Sequence, residues 1–264
     1  MRVIWEDGHT VVRELRSCGP IGLRELRDEG DGVVRVALVQ TSAILVGGDD
    51  VGLDVEVGPG AALVLRELSA TLAHPMARGV PPARQRLRVC VAAGGRAVVA
   101  EEPVIVAGDA RLVREVRIDL AQDARVLHRD TLVLGRHDET GGSARAHMRV
   151  TRDGLPLLDD TVDTSRATAR SPAVLGTARV VAGLALFGAP PRVLPRDAFA
   201  LSPRDTLLRR LAPTLRGLGD IDGQQRAWSA AWDERRSTEG IALTATQRRG
   251  PASPPPRRGR GARS

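Results

Sequence analysis

The sequence has no Lys, no Asn and no Tyr. All three are read from AT-rich codons, so the gaps fit a GC-rich coding bias, and arginine richness then needs no functional cause. The missing lysine has chemical consequences. A P-loop needs a Lys to reach the nucleotide phosphates, so the chain is not a P-loop nucleotidase. Schiff-base chemistry needs a lysine amine, which excludes enzymes of the pyridoxal-phosphate type. Aromatics are nearly absent too: Trp5, Phe187, Phe199, Trp228 and Trp232, with none between Trp5 and Phe187. Single-strand nucleic-acid modules stack bases on exposed aromatics, so the body of the chain lacks that platform. The two cysteines, Cys18 and Cys90, make no disulfide framework. No apolar segment opens the chain as a signal peptide would. The longest apolar run, Val180 to Ala189, is about half the roughly 20 residues a membrane helix takes. The chain reads as soluble and cytoplasmic.

What is present is arginine. The 264 residues carry 39 basic and 32 acidic groups, a net charge of +7 and a pI near 11.1. Such a pI suggests a nucleic-acid adaptor. However, Arg248, Arg249, Arg257, Arg258, Arg260 and Arg263 lie in the last 17 residues with no acid among them. Taking six from +7 leaves +1 for the other 247 residues. The excess sits on a Pro/Arg/Gly-rich tail, 248–264, whose composition predicts disorder. Any phosphate binding would belong to that tail.

Most of the first 165 residues read as strands. Val33–Val39 is continuously β-rich, and 53–57, 87–91 and 116–120 alternate apolar and polar residues as half-buried strands do. Asp153-Gly154 is a hairpin signal. Four stretches starting at 57, 91, 106 and 120 share a pattern: apolar, Ala or Gly, variable, Gly or Asp, small, variable, apolar, apolar. Gly and Asp tolerate the dihedrals of a tight corner, and small residues let backbones approach. The irregular spacing fits stacked antiparallel strands, an irregular β-helix or an ordinary sandwich. Helices are expected only near the end. Ser202-Pro203 reads as a helix start ahead of Leu207, Leu208, Leu211 and Leu215, and 224–236 as a second helix with Trp228 and Trp232 on one face. The expected organisation is one mainly β domain over 1–247, with its helical region at about 202–236.

Catalytic motifs are missing: no HExxH, CxxC or GxSxG. None of the five histidines has zinc-ligand spacing with a cysteine. The acids at Asp49-Asp50, Glu101-Glu102 and Asp159-Asp160 taken singly read as turn or strand-face residues. Asp130 differs, because alternation points it the same way as Leu132 and Leu134. A carboxylate there needs a partner, for which Arg136 is available, or a wet cavity. A hydrolase built on Asp49, Asp130 and Asp160 is a further reading.

In their order, these motifs resemble the UreD (UreH) family of urease accessory proteins. The carrying stretches are Val46-Gly47-Gly48-Asp49 followed by LDVEVGPGAALVL, then Ser69-Ala70-Thr71, then Glu101-Glu102-Pro103-Val104-Ile105 with AGDARL. Asp130-Thr131-Leu132-Val133-Leu134-Gly135-Arg136 and Arg152-Asp153-Gly154 complete the set, in register from about Gly19 to Thr164. The chain departs from the family at Leu72-Ala73-His74, at Ala100-Glu101-Glu102-Pro103 and through its C-terminal third. The resemblance implies a non-enzymatic, mostly β scaffold with no tightly bound cofactor. Its partners would be the urease apoprotein and UreF-like and UreG-like accessory proteins, and nickel would pass in transit through a polar tunnel. The positions matching the family's tunnel lining are Asp49, Thr71, Asp130 and Asp160, with Gly47, Gly48, Glu101, Glu102 and Arg136 as support. Isolated carboxylates and hydroxyls bind nickel more weakly than imidazole or thiolate, which suits transit.

Overall fold

A computed structural model describes residues 1–27, 29–164, 171, 174–191 and 194–229. The arginine-rich tail and residues 230–236 of the expected last helix, including Trp232, lie outside them. No helix among the described residues is long and apolar enough to cross a membrane.

The chain coils between two sheets. Strands β1 (Arg2–Glu6), β5 (Asp50–Val57), β8 (Ala83–Val91), β11 (Arg111–Leu120) and β13 (Ser143–Arg152) run parallel, side by side, in the first sheet. Strands β4 (Val34–Gln40), β6 (Ala62–Glu67), β9 (Arg96–Ala100) and β12 (Arg125–Leu134) run parallel in the second. Two short strands, β7 (Thr71–Ala73) and β10 (Val104–Val106), pair with each other and, through β10, with β12. Antiparallel strands flank these stacks. They are β2 (His9–Glu14) and β14 (Leu155–Asp163) in the first sheet, and β3 (Ile21–Glu25), β15 (Val180–Phe187), β16 (Ala198–Ser202) and β17 (Asp205–Ala212) in the second. The architecture is therefore a mostly β, solenoid-like coil. The stack is parallel, which removes the antiparallel alternative.

The register explains why valine, leucine and alanine suffice for a core. Leu53, Leu87, Val116 and Met148 pair across successive strands of the first sheet, as do Val55, Val89, Ile118 and Val150. Facing them on the second sheet stands the row Leu63, Ala97, Val126 and Phe187. Most coils repeat a layer of aliphatic side chains, and Phe187 closes the row at its last strand. β15, the apolar run of the sequence, is buried along its whole length, as a strand covered on both faces should be. The outer face of the second sheet is covered by helix α1 (221–229), whose Trp228 packs on Val98, Leu127, Leu184 and Leu208. The outer face of the first sheet carries cross-strand ion pairs such as Arg86–Asp50 at 3.0 Å.

The corner repeats are where the chain changes sheet. Those starting at 57, 91 and 120 lead from β5 to β6, β8 to β9 and β11 to β12, and they stack on one edge. Gly60 and Gly94 take positive φ (68° and 63°). A Cβ on Gly95 would lie 2.9 Å from both the Ala92 and Gly58 carbonyls, so the packing of one corner on the next sets the residue size. The copy at 106 leads from β10 to β11, from the second sheet back to the first, next to the loop that begins at Gly135. The uneven spacing arises because two kinds of corner share one local chemistry.

The expected helix at Ser202-Pro203 is a hairpin instead. β16 and β17 pair antiparallel across Pro203-Arg204, and the Ser202 hydroxyl binds Asp205 and accepts from Arg204 N rather than capping a helix. The leucines fit a strand better because Leu207 faces the interior and Leu208 the helix-covered side, each buried. Only a short 3-10 turn, Leu215–Leu218, follows before α1.

Candidate functional site

The core rows of the second sheet turn polar at one level. Register pairs Arg66 with Ala100 and Ala100 with Arg129, so Glu67, Glu101 and Asp130 follow one another across neighbouring strands. Adjacent strands lie about 4.8 Å apart. Gln85 and Arg114, themselves register partners, face this row from the first sheet. Arg114 is 4% exposed. It donates from Nη2 to Glu101 Oε2 at 2.6 Å and from Nη1 to Gln85 Oε1 at 3.0 Å. His128, fully buried, shares the same Glu101 oxygen through Nε2 at 2.8 Å. A carboxylate only accepts, so the imidazole carries its proton on Nε2, and its Nδ1 has no partner. Glu67 Oε1 accepts from Thr71 Oγ1 at 2.8 Å and Gln40 Nε2 at 3.1 Å, while Oε2 accepts from Glu102 N at 3.0 Å.

Two small cavities open along this row, and Arg114 lines both. The first, of ≈ 40 Å³, is bounded by Glu67, Gln85, Glu101 and Arg114 among aliphatic neighbours. The second, of ≈ 20 Å³, is bounded by Arg114, Asp130, His147, Asp160, Gly183 and Arg209. Both have room for water, which needs roughly 10–15 Å³. Asp160 pairs with Arg209 at the second cavity.

Three carboxylates along the row against one buried guanidinium leave a negative interior. Burial pushes the Glu67 carboxyl above its ordinary value, and the Glu101 charge adds to this, against its hydrogen bonds to Thr71, Gln40 and Glu102. Burial would do the same to Glu101, but Arg114 and His128 outweigh it and hold that carboxyl below its ordinary value. Burial also works against the charge on Arg114, and Glu101, Asp130 and Glu67 more than restore it. The arrangement is a polar seam in an aliphatic core, whose carboxylates attract positive charge. Among the described residues, no three His, Cys, Asp or Glu side chains group as a metal chelate.

The residues expected from the sequence divide. Thr71, Glu101, Asp130 and Asp160 border the seam or bond to it, and Glu102 joins through its backbone. Asp130 shares its cavity with Leu132, as alternation requires. Arg136 is not its partner: it pairs with Glu139 at 2.8 Å on the surface, and the cations lining the cavity of Asp130 are Arg114 and Arg209. Asp49 stands apart in the loop before β5, where its Oδ2 accepts from Val46 N at 3.0 Å. Gly47 has no room for a side chain, since a Cβ would lie 2.6 Å from Val80 Cγ1, and Gly48 takes φ +89°. Sequence reading missed Gln40, Glu67, Gln85, Arg114, His128 and Arg209. The signal that singled out Asp130, a polar residue on the apolar phase of a strand, also marks Arg114 between Leu112 and Val116, His128 after Val126, and Glu67 after Leu65.

A model of the UreD urease accessory protein family matches residues 1–242, well beyond the stretch whose motifs carried the resemblance. A urease accessory protein UreD 1 of Streptomyces griseus is 40% identical over 186 residues, 70% of this chain and 72% of that protein. One of Saccharopolyspora erythraea, also named UreD 1, is 40% identical over 180 residues, 67% of this chain and 70% of that protein. A second from that organism, UreD 2, is 35% identical over 212 residues, 79% and 71% of the two chains.

Proposed function

Because the chain belongs to the UreD urease accessory protein family, we propose that it is a non-enzymatic scaffold for urease maturation in the cytoplasm. It binds the urease apoprotein together with UreF-like and UreG-like partners, and nickel on its way to the urease active site passes along the polar seam. The observation that supports this reading is the row Glu67, Glu101, Asp130 flanked by two cavities in an otherwise aliphatic core. A buried acidic row is costly unless something positive visits it. Oxygen donors suit such a visitor: carboxylates and hydroxyls hold nickel less firmly than imidazole or thiolate, so the ion is guided without being trapped. The GTPase chemistry belongs to a partner, since this chain has no P-loop lysine.

The test is urease activation in cells expressing Asp130→Asn or Asp160→Asn in place of the native chain, with co-purification of the partners measured in parallel. Activation should fall several-fold with the complex intact. Wild-type activation in both variants would rule out the seam as the route.

A further inference from the structure

We infer that the Arg114 guanidinium is a resident counter-cation that closes the seam at rest, and that a divalent cation crossing between the two cavities must displace it from Glu101. The inference rests on the conduit reading and adds its control. Arg114 is the residue that borders both cavities while bonding the central acid of the row. Its guanidinium bonds Glu101 and borders the cavity of Asp130, so it sets one positive charge where a passing cation would go. Two positive charges cannot share that space, because the core around it is apolar and screens little. The tether is one-sided: its hydrogen bonds to Gln85 Oε1 and Glu101 Oε2 both lie at the first cavity. Asp130 attracts the same charge from the second. A guanidinium drawn from both sides can yield to an ion of higher charge and return when it leaves. At rest it also prevents the acidic row from collecting stray cations.

The experiment uses the full chain co-expressed and purified with its accessory partners. Nickel retention is measured by equilibrium dialysis against NiCl2 with metal analysis, and urease activation in cells beside it. Arg114→Gln is expected to retain nickel at least ten-fold more tightly than the native chain and to lower activation. Arg114→Lys, which keeps the charge, should stay close to native retention. A purely structural arginine would lower activation through loss of the fold and would not raise nickel retention.

Should Arg114→Gln fail to fold, Arg114→Met/Glu101→Gln replaces the buried pair with neutral groups, and comparison with Glu101→Gln alone isolates the guanidinium. The double variant should retain more nickel. Equal retention, with Asp130→Asn still impairing activation, overturns the gate and leaves the conduit standing. Native activation in Asp130→Asn and Asp160→Asn removes the conduit, and the gate falls with it.

Discussion

Arg152 on β13 and Asp205 at the start of β17 form a two-pronged ion pair between the sheets, Nη1–Oδ2 2.9 Å and Nη2–Oδ1 2.7 Å. Asp205 has no exposed surface and also accepts from Gly188 N at 2.9 Å and from the Ser202 hydroxyl. The pair ties the C-terminal hairpin to the strand stack. Removing one partner leaves the other buried and uncompensated, so Asp205→Ala should cost about 3–5 kcal/mol of unfolding free energy. Burial pushes the Asp205 carboxyl up, but Arg152, Ser202 and Gly188 outweigh it and hold it below its ordinary value of 3.8. Its stabilising contribution is therefore complete above 3.8 and is lost as pH falls below that value. Denaturant titrations across acidic pH should show the native chain and Asp205→Asn converging there.

Gly183 on β15 lies opposite Asp130 in register, and a Cβ at Gly183 would meet Asp130 Oδ1 at 2.3 Å. The glycine keeps the acid in place by giving it room. Gly183→Ala should force the carboxylate aside, cost about 1–3 kcal/mol, and reduce urease activation with partner binding retained. Gly22→Ala, where a Cβ meets nothing nearer than 3.5 Å, is the matched control and should activate normally. Thermal unfolding with the activation assay separates a displaced acid from general instability.

Asp49 and Asp130 should behave differently, although the sequence resemblance implied a place in the tunnel for both. Asp49 bonds its own turn through Val46 N, whereas Asp130 lines a cavity beside Arg114. Asp49→Ala should lose roughly 1 kcal/mol of stability, the worth of one hydrogen bond, and leave activation near native once the amount of folded protein is matched. Activation by Asp49→Ala as low as by Asp130→Asn would place the loop on the route.

Strand phase was the readable part of this protein. Alternation at 53–57, 87–91 and 116–120 yields strands in the right places, and the same rule turns Asp130 inward. Applied to every strand it would also have found Glu67, Arg114 and His128, because each interrupts an apolar phase. Local pattern could not tell which corners share an edge: the copies at 57 and 106 have the same chemistry, and only strand pairing separates them. Nor could it decide the leucines after Ser202. Leu207 and Leu208 satisfy helical spacing as readily as a strand buried on both faces, and the choice was made by β15, which offers an edge to pair with. The hydrogen bond of Asp49 to Val46 N was hidden for a related reason, since a motif position does not reveal which atom its carboxylate bonds.

Glu67 links the seam to the pH dependence of the fold. Burial first, and the Glu101 charge after it, raise its carboxyl above the ordinary 4.5, with Thr71, Gln40 and Glu102 N pulling the other way. The folded state thus holds the proton more tightly than the unfolded chain. The stability this adds is fully present below 4.5 and is lost as pH rises through the raised value. Glu67→Gln cannot ionise, so its stability should change less over the same range. The amide also loses something: its NH2 can take the place of only one acceptor oxygen, leaving a donor such as Glu102 N unmet, at about 1 kcal/mol. The variant should therefore be less stable than the native chain near pH 4.5 and should close that gap as pH rises toward neutrality. Denaturant midpoints at several pH values check this. Parallel curves would mean that Glu67 keeps the same charge in the folded and unfolded chain.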